Sequence, residues 1–116
     1  MKNLIKIGLI EFHPLLGKVI EEYLNSQKNM NIIAYTKDDK FNYSLIKITQ
    51  PDIILTGTFK MAQYIKKYLP HIKVILLDFD LTPEYVEALK QSNIDGYALK
   101  YDTQCLLQSI HRLVKI

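Results

Sequence analysis

The side chains of this sequence that are able to do chemistry sit just after its short apolar runs. Glu11, Phe12 and His13 follow the run Ile5 to Ile10, Thr56, Gly57 and Thr58 follow Asp52 to Leu55, Asp78 and Asp80 follow Lys73 to Leu77, and Lys100, Tyr101 and Asp102 follow Gly96 to Leu99. Two carboxylates, Glu11 and Asp78, and one ammonium, Lys100, suit a metal-free ion-pair cluster better than a catalytic dyad. If that cluster is buried, Lys100→Met should leave both carboxylates unpaired and cost about 1–3 kcal/mol. His13 has no second His or Cys near it in sequence and reads as a residue at a helix start. Cys105 is the only cysteine; without an electropositive neighbour in view it reads as a small packing residue. Zinc sites built on paired cysteines are excluded. Gly8 and Gly17 are too far apart to draw a dinucleotide fingerprint or a phosphate-binding loop.

The elements that must position these groups follow from periodicity. The 116 residues are 48% hydrophobic and 23% charged, which suits one globular domain spanning 1–116. Such a chain buries roughly two thirds of its unfolded surface and needs no disulfide or structural metal. No apolar run approaches the roughly 18 residues of a membrane span, and the N-terminus enters a strand pattern too early for a signal peptide. A reducing cytoplasm is the expected compartment. The net charge of +3 comes from scattered lysines and one arginine, Arg112, with Lys66 and Lys67 the only adjacent pair. That is no nucleic-acid footprint, which needs a clustered stripe.

Five strands are expected, at Ile5 to Ile10, Asn31 to Tyr35, Asp52 to Leu55, Lys73 to Leu77 and Gly96 to Leu99, mostly apolar on both faces, as in a parallel sheet covered by helices. Helix one follows Pro14 and carries Leu16, Val19, Ile20, Tyr23 and Leu24. Helix two is outlined by Phe41, Leu45 and Ile48, and helix three by Met61, Tyr64, Ile65, Tyr68 and Leu69. Thr82 and Pro83 open helix four, whose buried side is Tyr85, Val86 and Leu89. Helix five follows Asp102 and Thr103 with Leu106, Leu107, Ile110, Leu113 and Val114. Packing accounts first for Tyr23, Tyr35, Tyr64 and Tyr68, and Lys60, Lys66 and Lys67 read as a solvated helix face. Five βα units make an α/β, doubly wound, five-stranded parallel sheet in three layers, flavodoxin-like, of order 2-1-3-4-5. In such a sheet ligands bind beyond the carboxyl ends of the strands, where the groups named above fall.

At those ends the chain resembles the receiver domain of bacterial two-component response regulators, the CheY-like superfamily, and most closely receivers of LuxR/NarL-type regulators. The resemblance rests on Leu9 to Leu16 at the exit of strand one, on Pro51-Asp52-Ile53-Ile54-Leu55, on Pro70 to Leu77, and on Asn93 to Lys100 with Tyr97 three residues before the lysine. It covers almost the whole chain. It implies a phosphoacceptor aspartate after strand three, an acidic pair after strand one that helps hold Mg²⁺, a Ser or Thr after strand four, and a lysine after strand five with an inward-swinging aromatic as the readout.

Mapped onto this sequence, the acceptor position falls on Gly57, which has no side chain to phosphorylate. The acidic pair becomes Glu11 and Phe12, and the Ser/Thr position falls on Asp78, whose charge would repel a phosphoryl group. Lys100 and Tyr97 remain. The stretch from Gly57 to Pro70 is several residues shorter than the family norm and lacks its Met-Pro-Gly-type loop. Asp52 and Asp80 are the remaining candidate acceptors, Asp52 at the wrong end of its strand. The resemblance therefore implies a pseudo-receiver: no enzyme, no cofactor, Mg²⁺ not expected. It would act as a dimerisation or protein-docking module through helix four, strand five and helix five, with Tyr97 and Tyr101 as anchors. It would make no direct contact with nucleic acid or membrane, and would be a candidate regulatory half of a transcription factor. The alternatives are a phosphorelay receiver with a displaced acceptor and Mg²⁺, and a small-anion sensor using the emptied pocket at Phe12, Gly57 and Lys100.

Overall fold

Alternation of apolar residues about one strand builds both halves of the core. In the computed structural model, which describes residues 4–11, 13–36, 43–78 and 80–114, β1 (Ile5–Ile10) sends Ile5, Ile7 and Leu9 to one face and Ile10 to the other. The chain continues through α1 (Pro14–Asn25), β2 (Met30–Thr36), α2 (Tyr43–Thr49), β3 (Ile53–Thr56), α3 (Phe59–Tyr68), β4 (Lys73–Asp78), α4 (Pro83–Lys90), β5 (Gly96–Leu99) and α5 (Thr103–Leu113). The strands pair in parallel in the order β2-β1-β3-β4-β5, which is the expected doubly wound topology. Phe12, Phe41 and Phe79, and the side chain of Tyr35, lie outside the described residues.

The two faces carry separate apolar clusters. Ile20 and Leu24 of α1 and Leu106 and Ile110 of α5 cover Ile5, Ile7, Leu9, Ile53, Leu55, Ile75 and Leu77. Ile46 of α2 and Ala62 and Ile65 of α3 cover Ile10, Ala34, Ile54 and Val74. Each such side chain removed from water contributes about 1.5–3 kcal/mol. Gly8 faces the second cluster, where an added Cβ would come within 3.3 Å of Ile54 Cγ1, and the β1–β2 register shifts beside it, between Ile7 and Gly8.

Helix starts are fixed by side chains that satisfy orphan amides. His13 Nδ1 accepts from Leu16 N at 3.2 Å, Thr58 Oγ1 from Met61 N at 3.2 Å, Thr82 Oγ1 from Tyr85 N at 3.2 Å, and Asp102 Oδ1 from Cys105 N at 2.9 Å. Gln50, in the left-handed region at φ 51°, turns the chain out of α2 before Pro51.

Four helix residues assigned to the core from spacing are exposed: Val19 49%, Ile48 78%, Tyr64 43% and Tyr68 50%. The reason is the width of the buried arc. A helix lying on a flat sheet presents a narrower stripe than a helix inside a bundle, so α3 buries Ala62 and Ile65 with Met61 partly buried beside them and Leu69 buried just past its end, and α2 seats Ile46 in place of Ile48. Lys66 also departs from expectation: its side chain is only 10% exposed and bonds Asp95 Oδ2 at 2.9 Å, so it belongs to the packed interior edge of α3 and not to the solvated face.

Candidate functional site

The four βαβ crossovers bring the strand ends together. Gly57 N donates to Ile10 O at 3.1 Å and Lys100 N to Asp78 O at 2.8 Å, which extends the sheet ladder one residue past its strands and places Glu11, Gly57, Asp78 and Lys100 along one edge. Glu11 is 1% exposed, an unusual position for a carboxylate. Its Oε1 accepts from Lys100 Nζ at 3.1 Å and from His13 N at 3.2 Å, while Oε2, fully buried, has no hydrogen-bond partner among the described residues. The lysine side chain is itself only 11% exposed.

This pair stands over Gly57. A Cβ built there would lie 3.0 Å from Glu11 Oε2 and 3.1 Å from Lys100 Nζ, tighter than most carbon contacts, so the two side-chain ends would have to give way by a few tenths of an ångström. What favours glycine here is the crowding by these two side chains and not its backbone, since no glycine has a positive φ.

Asp78, half-buried at the end of β4, accepts a hydrogen bond from Tyr85 of α4. Burial pushes the Tyr85 phenol above its ordinary 10.0, and the charge and hydrogen bond of Asp78 push the same way. Tyr97 is half-buried on β5, its carbonyl accepting from Ser109 Oγ at 3.4 Å. Tyr101, just past the strand, is 67% exposed. Phe12 lies outside the described residues.

Asp52 sits at the opposite end of the sheet: Lys6 N donates to its Oδ2 at 2.8 Å and Asp52 N to Lys6 O at 2.8 Å. Asp80 is exposed in the loop before α4. Among the described residues no three His, Cys, Asp or Glu side chains stand together as a metal-binding group, and no helix is long and apolar enough to cross a membrane. Sequence reasoning missed the Lys66–Asp95 pair; its partners lie on separate elements, and nothing local marks them.

The fold, a doubly wound five-stranded parallel sheet with its polar groups at the strand ends, is that of solved receiver domains of response regulators. The solved LuxR-family two-component response regulator of Aurantimonas sp. SI85-9A1 matches with a TM-score of 0.82 at 18% identity, covering 95% of this chain and 84% of that one. In sequence the chain is 26% identical over 103 residues to the response regulator protein VraR of Staphylococcus saprophyticus, covering 83% of this chain and 49% of that protein. It is 28% identical over 106 residues to the transcriptional regulatory protein YxjL of Bacillus subtilis, covering 85% and 49%. The chain thus resembles receivers of LuxR/NarL-type response regulators and spans about half the length of these relatives. No family model matches it.

Proposed function

We propose that this chain is a receiver-type module of two-component signalling that does not accept a phosphoryl group and acts through protein contacts, as the regulatory part of a transcriptional regulator. One observation carries the reading: the Glu11–Lys100 ion pair fills the space that an acceptor side chain at position 57 would need. Phosphoryl transfer to protein requires a nucleophilic side chain, and Gly57 offers none.

The residues present also fit Mg²⁺ poorly. The ion wants near-octahedral hard oxygen ligands and carboxylates free to approach it. Here Glu11 gives Oε1 to an ammonium and a backbone amide, and Gly57 contributes no oxygen from a side chain. Lys100 thereby does as a fixed cation what a metal does in an acidic pocket, and holds the strand ends in one arrangement. Protein contacts then fall to the surface of α4, β5 and α5, where Tyr101 is the exposed aromatic and Tyr97 the half-buried one. The small-anion alternative is disfavoured because the pocket's ammonium already faces a carboxylate. The displaced-acceptor alternative is disfavoured because Asp52 is tied to Lys6 at the far end of the sheet.

The test is a titration of the isotope-labelled chain with Mg²⁺ and beryllofluoride, followed by the amide resonances of Gly57 and Tyr97. The expected result is no saturable change at either; a saturable shift at both would overturn the reading.

A further inference from the structure

We propose that the outer surface of α3, with the groove beside it, is a docking site for an extended acidic segment of a partner protein. The site is independent of whether the strand-end pocket takes a phosphoryl group.

Helix α3 reads Phe-Lys-Met-Ala-Gln-Tyr-Ile-Lys-Lys-Tyr and holds no acidic residue. Its outward side carries two adjacent i, i+4 rows, Lys60-Tyr64-Tyr68 and Gln63-Lys67, all exposed. The Tyr64 and Tyr68 rings lie 4.6 Å apart, tilted by 47°, and Lys67 Nζ stands 5.3 Å over the Tyr68 ring. The rings therefore form a ledge held in place before any partner arrives, which lowers the entropy cost of binding.

Next to the ledge, Gln63 and Lys67 face Gln91, Ser92 and Asn93 of the turn after α4 across a groove of about 350 Å³. No lining residue is acidic. Lys66, at its edge, donates to Pro70 O at 3.0 Å, Ile72 O at 3.0 Å and Asp95 Oδ2 at 2.9 Å, so its ammonium is held by the fold.

An extended peptide presents alternating N–H and C=O groups, which glutamine and asparagine side chains satisfy in both senses. Lys60 and Lys67 would meet carboxylates, and the tyrosine ledge would cover apolar side chains. Nucleic acid fits less well, since backbone binding draws on many phosphate contacts and this face offers two exposed lysines.

An NMR titration of the full chain tests this, using a synthetic peptide that alternates glutamate with leucine, its glutamine counterpart, oligothymidylate, and phosphatidylserine vesicles. The expected result is saturable shifts confined to Gln63, Tyr64, Lys67, Tyr68 and Asn93 with the glutamate peptide alone. Affinity should fall with added salt and by roughly tenfold in Lys67→Glu. Lys67→Gln, which removes the charge without reversing it, should show a smaller loss, and both variants should keep the parent melting midpoint. The proposal is overturned by absent shifts, by shifts scattered over Lys18, Lys28 and Lys90, or by equal affinity for the glutamine peptide, oligothymidylate or vesicles at these residues. Concentration-dependent broadening of the same signals without any ligand would also overturn it, by making a second copy of the chain the occupant.

Discussion

Glu11 is a buried carboxylate whose charge is answered by one ammonium and one amide, leaving its second oxygen without a partner among the described residues. Removing the ammonium strands a charge in a low-dielectric site, whereas removing both charges does not. Lys100→Met is therefore expected to lower stability by about 1–3 kcal/mol, with most of that loss recovered when Glu11→Gln is added. Chemical denaturation of the single and double variants measures it, and equal stability of parent and Lys100→Met would exclude the buried pair as a stabilising contact. The identities of Glu11, Gly57 and Lys100, and their positions after β1, β3 and β5, were readable from the chain. That the ammonium of Lys100 reaches a carboxylate 89 residues away and stands over Gly57 was not, because it depends on the four βαβ crossovers between β1 and β5 and on the sheet register.

At the scale of elements, α3 shows how far hydrophobic spacing carries. The stripe Met61, Tyr64, Ile65, Tyr68 and Leu69 locates the helix correctly but counts two tyrosines as core, because it reads a broad apolar arc where the sheet buries Ala62, Ile65 and Leu69 and takes Met61 in part. The end of the same helix is tied down by Lys66, which bonds the carbonyls of Pro70 and Ile72, while Asp95 accepts from both Lys66 and Val74 N. This knot joins α3, β4 and the approach to β5. Asp95→Ala leaves the buried Val74 amide without its side-chain acceptor and the Lys66 ammonium with the Pro70 and Ile72 carbonyls but no counter-charge, and should cost about 1–3 kcal/mol. Hydrogen exchange at Val74 should speed up while amides of β1 keep their protection relative to global unfolding; unchanged exchange at Val74 would show that the knot contributes nothing.

For the molecule as a whole, fold and function separate. The order β2-β1-β3-β4-β5 and the two apolar faces give the fold seen in solved receiver domains, and the strand ends carry the Glu11–Lys100 ion pair. A ligand stabilises a protein only in proportion to its affinity for the native state. On the proposed reading the melting midpoint in millimolar Mg²⁺ should equal that in a chelator, and a dose-dependent rise with Mg²⁺ would place a metal site in the chain. The relatives VraR and YxjL are about twice as long as the matched region, so whatever this module controls is proposed to act through surfaces such as α3 or α4-β5-α5.

The sequence by itself determined the five βα units, the parallel sheet and the residues at each strand end, because strand and helix periodicity, caps and prolines are local signals that act within a few residues. Only the tertiary structure decided that Glu11 and Lys100 pair over Gly57, that Lys66 is locked to Asp95, and that Tyr64 and Tyr68 face outward. Each of those outcomes depends on how distant elements pack, and contact across the fold leaves no mark in the spacing of neighbouring residues.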